Sequence, residues 1–350
     1  MSVEDLLGRA GEWLKGTGPE GDVVVSSRVR LARNLNRFPF LTLASPAVRT
    51  EIERHVGPRL AEGKWPRPLD YWPLEKLSPL DRAFLVERHL ISREHAQAEG
   101  DRGVAFSADE AVSIMVNEED HLRLQVLRSG FQLDEAFEEI DRLDTTLEES
   151  LNFAFSPRFG YLTACPTNVG TGMRISVLLH LPAVVLAKQV DKVLQSLQRL
   201  NYVVRGLYGE GTSPLGDFYQ VSNQVTLGKS ERDLVGEMKR VVPEILKFER
   251  QWRRKLLEVE RRRLEDRVWR AWGILRNARR MTSEEAIELL SALRLGVDLE
   301  LIRGISVRTI HEMFLFIQPA HLQKLERRVL EAEERDAVRA DFVRRRLEGL

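Results

Sequence analysis

The chain of 350 residues contains a single cysteine and no long uninterrupted apolar segment. One cysteine excludes an intrachain disulfide and a cysteine-based zinc cluster, and it is typical of proteins in a reducing cytoplasm. The longest apolar stretch, residues 177–187, is interrupted by His180 and Pro182 and is too short to cross a bilayer. The acidic N-terminal segment has no apolar core, so we expect no secretory signal and a cytoplasmic location.

A net charge and the usual phosphate-binding motifs are also missing. The 53 basic residues balance the 53 acidic ones, so the composition does not demand nucleic acid as a partner. Gly228-Lys229-Ser230 resembles the end of a P-loop, but Asn223 stands where the upstream glycine is required. Neither H-R-D nor D-F-G occurs, so the sequence indicates neither a P-loop enzyme nor a protein-kinase fold.

The pattern of the chain predicts two domains with a boundary near residue 250. Residues 1–250 mix helical and strand patterns after a short helical N-terminal region, whereas residues 251–350 predict an all-helical C-terminal domain. Helices are predicted at residues 46–62, 79–100, 133–155 and 178–200. Strand-like segments at residues 104–107, 112–117 and 121–127 predict an antiparallel meander.

Two charged clusters lie within the first domain. In Ser26-Ser27-Arg28-Val29-Arg30, alternation along a strand places Arg28 and Arg30 on one face, where two forked guanidinium groups suit phosphate oxygens. The alternative is an exposed basic strand edge that discourages aggregation. The second cluster, residues 117–123, has three acids followed by His and Arg, and the alternative, which is the commoner case for such a pattern, is an ordinary charged turn.

Two further clusters lie in glycine-rich loops. The lone Cys165 begins a segment, residues 165–174, that is rich in Pro and Gly and follows a predicted strand. Such loops often carry functional groups, although most free cysteines are small buried hydrophobic residues. In residues 205–211, glycines on both sides of Glu210 permit close backbone approach, and a plain hairpin turn is the alternative.

Taken together and in this order, the segments SSRVRLARN, NEEDHLR, CPTNVGTGMR and RGLYGEG resemble the guanidino (phosphagen) kinase family. Similarity to its bacterial protein-arginine kinase branch extends to GKSERD and to the helical C-terminal part, and so covers essentially the whole chain. The resemblance implies an α+β fold with a guanidino-kinase-type antiparallel sheet flanked by helices, followed by an all-helical C-terminal domain.

The resemblance also implies roles for individual residues, with ATP and Mg²⁺ as cofactors and no metal held by a dedicated protein site. Glu119, Glu210 and Cys165 are implied as catalytic. The residues implied in ATP binding are Ser26, Ser27, Arg28, Val29, Arg30, His89, Arg123, Arg174, Ile175, Ser176, Val177, Leu178, Arg205, Gly206, Leu207, Tyr208, Gly209 and Glu210.

These roles agree with the chemistry of phosphoryl transfer to a guanidinium. The reaction requires positioning and charge neutralisation, which arginines and Mg²⁺ supply. An arginine side chain is a cation without a free lone pair, so carboxylates must fix its plane and take a proton as the N–P bond forms. A thiolate at Cys165 would add negative charge beside the guanidinium.

The substrate is expected to be arginine in proteins rather than free arginine. Only 25 residues precede Ser26, whereas kinases of small guanidino metabolites carry a longer helical domain with a closing loop there. In the protein-arginine kinase branch, Arg335, Asp336 and Arg339 are associated with allosteric binding of phosphoarginine, although such a pattern is also typical of a solvated helix. The family further suggests a homodimer through the C-terminal domain, a zinc-binding activator protein and a Clp protease. A kinase of free arginine and an inactive phosphoarginine-binding adaptor are the alternatives.

Overall fold

The computed structural model describes residues 3–206 and 215–348. The strands in this part of the chain are β1 Val24–Arg33, β2 Leu69–Pro73, β3 Gly103–Ser107, β4 Val112–Val116, β5 Leu122–Ser129, β6 Phe155–Ser156, β7 Gly160–Tyr161, β8 Met173–His180, β9 Tyr202–Arg205 and β10 Phe218–Asn223. Eight of them form one antiparallel sheet in the order β2-β3-β4-β5-β1-β8-β10-β9, while β6 and β7 form a separate hairpin. The longest strand, β1, therefore lies in the middle of the sheet.

Helices flank this sheet and make up the C-terminal part. They are α1 Pro46–Glu62, α2 Pro79–Glu87, α3 Arg93–Gln97, α4 Leu133–Glu148, α5 Pro182–Leu186, α6 Val190–Arg199, α7 Glu231–Val259, α8 Arg261–Asn277, α9 Ser283–Asp298, α10 Val307–Phe316, α11 Pro319–Leu325 and α12 Ala332–Leu347. Short 3₁₀ turns occur at Val3–Leu6, Glu12–Leu14, Leu74–Lys76 and Pro166–Asn168.

Alternation along β1 gives the sheet two unlike faces. Val29 and Leu31 point into a large apolar core, which α1, α4 and α7 cover. Arg28 and Arg30 are one residue out of phase, so their side chains emerge on the opposite face. The sheet thus presents one sealed apolar face and one polar face that carries its basic residues.

One ion pair is buried at the sealed face. Arg33, at the end of β1, donates from Nε and Nη2 to the carboxylate of Asp144 on α4 at 2.6–3.0 Å. Its Nη1 donates to the carbonyls of Ala32 and Thr171, and its guanidinium carbon lies 3.5 Å from the centre of the Tyr161 ring. The pair joins α4, the central strand and the loop before β8 at one point.

The C-terminal helices cover one end of the polar face. Val25, Leu127, Leu178 and Phe218 of the sheet share a buried apolar cluster with Trp13 and with side chains of α8, α9, α10 and α12. The sheet and the C-terminal helices therefore have a common core, and the basic residues occupy the part of the polar face that these helices leave open.

The predicted helix over residues 178–200 is wrong, although the meander of β3, β4 and β5 and the bounds of α1 are confirmed. Residues 178–180 continue β8, where apolar side chains are buried between β1 and β10. Pro182 then begins α5, and Lys188, with a φ of 55°, separates α5 from α6. Periodicity alone does not distinguish a buried strand from a buried helix.

Two other predicted helices are too long. The helix predicted over 79–100 divides into α2 and α3 because His89 takes a φ of 60°, which a helix cannot continue. The helix predicted over 133–155 ends at Glu148.

The C-terminal part is helical, as predicted. Residue 250 lies inside α7, and the first break in the long helical pattern comes at Glu260, between α7 and α8. No helix in the ranges 3–206 and 215–348 combines the length and the apolar character needed to span a bilayer.

Candidate active site

A cleft of about 410 Å³ opens on the polar face of the sheet. Its walls contain six arginines, three carboxylates and one histidine, together with polar and apolar side chains of β4, β5, β10 and the α2–α3 connection. The charged and titratable groups that line it are Arg28, Arg30, His89, Arg93, Glu94, Glu118, Glu119, Arg123, Arg174 and Arg205. The cleft therefore concentrates positive charge in a concave site.

Strand register explains why these arginines meet. Arg30 pairs directly with Arg174 of β8, and Arg123 of β5 lies opposite Ala32, one step further along the same face of β1. At the other end, Arg205 of β9 lies opposite Gln220 of β10. Because residues directly opposite in an antiparallel pair share a face at about 5 Å, four strands bring their arginines to one surface.

Like charges crowd the floor of the cleft. Arg28 donates from Nε to Ser176 Oγ at 3.2 Å and from Nη2 to Gln220 Oε1 at 2.8 Å. Burial and the charges of Arg123, Arg174 and Arg205 lower the pKa of Arg28 to about 10. Such a cluster is strained unless an anion lies among its guanidinium groups.

Arg30 has the strongest need for such a partner. Burial, followed by repulsion from Arg28, Arg123 and Arg174, lowers its pKa well below the ordinary arginine value, and Glu118 offsets only part of this. Its buried Nε has no hydrogen-bond partner among the described residues. A buried donor of this kind is costly unless a ligand accepts from it, so the arrangement fits the phosphate oxygens of a nucleotide.

The two neighbouring glutamates of the acidic loop have different environments. Glu118 is buried and accepts from Arg123 Nη1 at 2.6 Å and from Ser92 Oγ at 2.7 Å. Burial opposes ionisation, but Arg123 and Ser92 lower the pKa of Glu118. Glu119 keeps 43% of its side chain exposed and lies 3.6 Å from Arg123. Glu119 is therefore the carboxylate that can receive an incoming cation.

The same loop is joined to the segment that carries Cys165. Asp120 Oδ1 accepts from Asn34 Nδ2 at 2.6 Å and from the main-chain N–H of Ala164 at 2.7 Å. The next residue of the acidic loop, His121, contacts the segment after β1: its Nδ1 accepts from the N–H of Leu35 at 2.9 Å. Asn34 and Asp120 occur in the motif segments, but their linking role depends on contacts between distant parts of the chain.

Cys165 lies at the surface of this loop, partly exposed, rather than in the core. Its Sγ is 3.0 Å from Thr167 Oγ1, and either atom can donate. Thr163 Oγ1 donates to the carbonyl of Cys165 at 2.8 Å and fixes the turn that presents the thiol. The loop therefore presents the thiol at the surface, beside a hydroxyl.

His89 forms the wall of the cleft next to the C-terminal domain. Its ring packs edge-on against Trp13, with centroids 4.8 Å apart, and its carbonyl accepts from Gln125 Nε2 at 2.6 Å. Burial and the nearby Arg28 lower the pKa of His89 to about 3, so the imidazole is neutral. Trp13, Gln125 and Gln220 were not identified from the sequence, because nothing in their local patterns distinguishes them from core or strand residues.

Not every residue expected at the nucleotide faces the cleft. Ser26, Ser176 and Leu178 lie on the polar side of the sheet, and Gly206 directly follows β9. The side chains of Ser27, Val29, Ile175 and Val177 lie on the sealed side. Leu207, Tyr208, Gly209 and Glu210 are outside the described residues.

The three residues of α12 differ in exposure. Arg339 is buried, and it donates to the carbonyls of Ile317 at 2.9 Å and Met281 at 2.8 Å and to Asp336 Oδ1 at 2.7 Å. Arg335 is partly exposed and donates from Nη1 to the carbonyl of Leu330 at 2.6 Å. Arg339 therefore ties α12 to the ends of neighbouring helices.

Two family models match the chain in succession. The first, "ATP:guanido phosphotransferase, C-terminal catalytic domain", matches residues 51–252. The second, "Protein-arginine kinase McsB C-terminal domain", matches residues 261–350.

Similar proteins include the protein-arginine kinases of Halothermothrix orenii, 45% identical over 349 residues, and Symbiobacterium thermophilum, 46% identical over 351 residues. Each alignment covers 99% of this chain and 99% of the relative. Among solved structures, the duplicated taurocyamine kinase of Schistosoma mansoni is similar with a TM-score of 0.61 and 28% identity, over 72% of this chain and 35% of that one. Lombricine kinase gives a TM-score of 0.60 and 26% identity, over 72% of each chain.

Proposed function

This chain belongs to the ATP:guanido phosphotransferase family and, within it, to the protein-arginine kinases, and from this premise we propose how its cleft acts. The enzyme transfers a phosphoryl group to arginine residues of proteins. The observation that carries the assignment of roles is that five of the six cleft arginines, all on strands of the sheet, meet the exposed Glu119 in one cleft. The relatives also confirm the resemblance drawn from the four motif segments and the α+β fold followed by a helical domain.

The arginines of the cleft hold the triphosphate of ATP. Arg28, Arg30, Arg123, Arg174 and Arg205 neutralise its oxygens, and the unpartnered Nε of Arg30 gains an acceptor. His89, neutral and packed on Trp13, supplies an uncharged wall for the nucleotide. Mg²⁺ bound by the phosphates would add further neutralisation of charge and needs few protein ligands.

The acidic loop and the Cys165 loop hold the acceptor. Glu119 accepts hydrogen bonds from the substrate guanidinium and fixes its plane. It takes a proton as the new N–P bond forms and the bond from the γ-phosphorus to the leaving ADP oxygen breaks. Asp120 keeps the two loops together, so that Cys165 acts on the acceptor side. Glu210 is assigned as the second carboxylate from its motif alone, because it lies outside the described residues.

The product of the reaction provides the direct test of this function. Incubation of the enzyme with ATP–Mg²⁺ and an arginine-rich protein should place phosphate on arginine, located by mass spectrometry under non-acidic conditions. A phosphoramidate survives mild base and is lost in hot acid. Acid-stable label confined to Ser or Thr would contradict the proposal, efficient labelling of free arginine alone would favour a metabolite kinase, and no labelling would favour the adaptor.

Loss of one of the arginines proposed to bind the triphosphate should weaken ATP binding without destabilising the fold. Because Arg30 is repelled by its neighbours, Arg30→Gln should leave the melting temperature of the nucleotide-free enzyme unchanged or raise it. The same substitution should weaken ATP binding by about tenfold or more, the typical effect of losing a hydrogen bond to a charged group. Thermal-shift titrations with ATP–Mg²⁺ measure both effects, and Arg303→Gln, an exposed residue, is the control. An undiminished ATP-induced shift in Arg30→Gln would exclude Arg30 from the phosphate site.

The residues of α12 remain the proposed allosteric site for phosphoarginine. Because Arg339 is buried and its Nε and Nη1 donate within the helical domain, Arg339→Ala would damage that domain as well as any ligand site. Arg335→Ala, at a partly exposed position, is the sharper test. Phosphoarginine should bind the full chain, and calorimetry should show at least about tenfold weaker binding to Arg335→Ala. Equal affinity for both proteins would assign the residue to an ordinary solvated helix.

The cellular setting is also a proposal. A single cysteine suits a reducing cytoplasm, and the family resemblance supports a homodimer through the C-terminal domain. The same resemblance supports a zinc-binding activator protein and a Clp protease that degrades the marked proteins in the stress response.

A further inference from the structure

Exposed apolar side chains lie on two segments that are hydrogen-bonded to the Cys165 loop. Phe155 and Phe159 lie on the β6–β7 hairpin, and Val225 and Leu227 lie on the segment after β10. Phe155 is 56% exposed and Leu227 is 51% exposed. These four residues are called the apolar rim. Large exposed apolar side chains gathered around a functional site indicate a contact surface.

The β6–β7 hairpin, which carries Phe155 and Phe159, is hydrogen-bonded to the Cys165 loop and is linked through Asn34 to the acidic loop. Tyr161 of the hairpin donates its N–H to the carbonyl of Gly170 at 2.7 Å, beyond Cys165 in the chain. Asn34 Nδ2, which contacts Asp120, also donates to the carbonyl of Leu162 at 3.1 Å. The hairpin therefore keeps a fixed position beside both the thiol loop and the acidic loop.

The second side is fastened by Thr226. Its hydroxyl proton is shared between the carbonyls of Thr167 at 2.9 Å and Val169 at 2.7 Å, so this side chain is turned into the Cys165 loop and is buried. Its two neighbours in the chain, Val225 and Leu227, are exposed. The contact that anchors the segment to the Cys165 loop thus leaves these apolar side chains at the surface.

We propose that the apolar rim binds the polypeptide on both sides of the target arginine and selects segments in which apolar residues flank that arginine. This inference rests on the proposed function, because the arginine must reach the acidic loop and the Cys165 loop, next to which the rim segments are held. In an extended substrate, residues two to four positions away lie about 7–13 Å along the chain. Apolar side chains at those positions would cover Phe155 and Phe159 on one side and Val225 and Leu227 on the other, whereas free arginine has nothing to place there.

The test compares three acceptors with one enzyme. One peptide carries leucines around a single arginine, a second has serines in their place, and the third acceptor is free arginine. Phe159→Ser and Leu227→Ser change the two sides of the rim independently, and both positions are exposed, so the melting temperature should not change. Val259→Ser is the matched control, because Val259 is 72% exposed but lies at the far end of α7, about 40 Å from where that helix begins after Leu227.

We expect each rim variant to raise KM for the leucine peptide about fivefold to tenfold with kcat unchanged. The serine peptide, free arginine and Val259→Ser should give wild-type values. If both peptides respond equally, or neither responds, the rim proposal is overturned while the proposed function stands. If the wild-type enzyme phosphorylates free arginine and neither peptide, both are overturned. A change in sedimentation mass with unchanged KM values would assign the rim to a contact between copies of the chain and would overturn the proposal.

Discussion

Glu119→Gln is expected to lower kcat by at least about a hundredfold, the typical contribution of a positioned acid–base group. The amide keeps the size of the side chain but cannot hold a cation by charge or take its proton. ATP binding should change little, because the arginines of the cleft, and not Glu119, hold the triphosphate. Steady-state kinetics with a protein substrate, together with ATP titration, separate the two effects.

The pH dependence gives a second measurement of the same role. Burial raises the pKa of Glu119, as do the charges of Asp120 and Glu118, and Arg123 opposes them. Activity requires the carboxylate, so it should be lost as pH falls through this raised pKa, at a higher pH than for an ordinary glutamate. Glu119→Gln should lose this acidic limb, and Glu138→Gln on the exposed side of α4 should retain it. A kcat near the wild-type value in Glu119→Gln would exclude the residue from catalysis.

Asp144→Ala is expected to lower the free energy of unfolding by about 3–5 kcal/mol, because it leaves the buried Arg33 without a counter-charge. Three hydrogen bonds to the carboxylate are lost at once. Urea unfolding measures the effect, and Asp141→Ala on the exposed side of the same helix should change the stability by less than about 0.5 kcal/mol.

A double variant distinguishes the effect of the unpaired charge from the effect of lost packing on the free energy of unfolding. In Arg33→Met/Asp144→Leu, both charges are replaced by apolar side chains, so the loss should be smaller than in Asp144→Ala. The remaining cost reflects the contacts of Arg33 with Thr171 and Tyr161. If the double variant is no more stable than the single one, packing rather than the unpaired charge accounts for the loss.

The basic face of the sheet was predictable because it depends on strand alternation, a local property. Arg28 and Arg30 are two residues apart on one strand, and this spacing alone places them on one face. The helix predicted over 178–200 is wrong because the structure of its first residues depends on contacts that are not local. Burial between two neighbouring strands makes residues 178–180 a strand, and that burial depends on strand order, which no short window of sequence contains.

In the candidate site too, residues within motif segments could be inferred from the sequence, whereas residues that act through contacts distant in the chain could not. Glu119 and Cys165 stand in recognisable segments, so their roles could be inferred from the resemblance. The contribution of Asp120 could not be inferred, because its partner Ala164 is 44 residues away and the bond depends on the folded loops. Trp13 was missed because it contacts His89 across a distance in the chain of more than seventy residues.

The core shared by the sheet and the C-terminal helices also limits recombination between relatives. A chimera that takes its helical domain from another protein-arginine kinase would place foreign side chains against Val25, Leu127, Leu178 and Phe218. Leu178 lies in β8 two residues beyond Ser176, which accepts a hydrogen bond from Arg28. A packing mismatch at Leu178 would therefore shift Arg28 and the other arginines proposed to bind phosphate. The sheet residues and the C-terminal helices are therefore expected to have co-evolved where they share this core. A chimera should fold only if these four sheet residues are taken from the same relative as its helical domain.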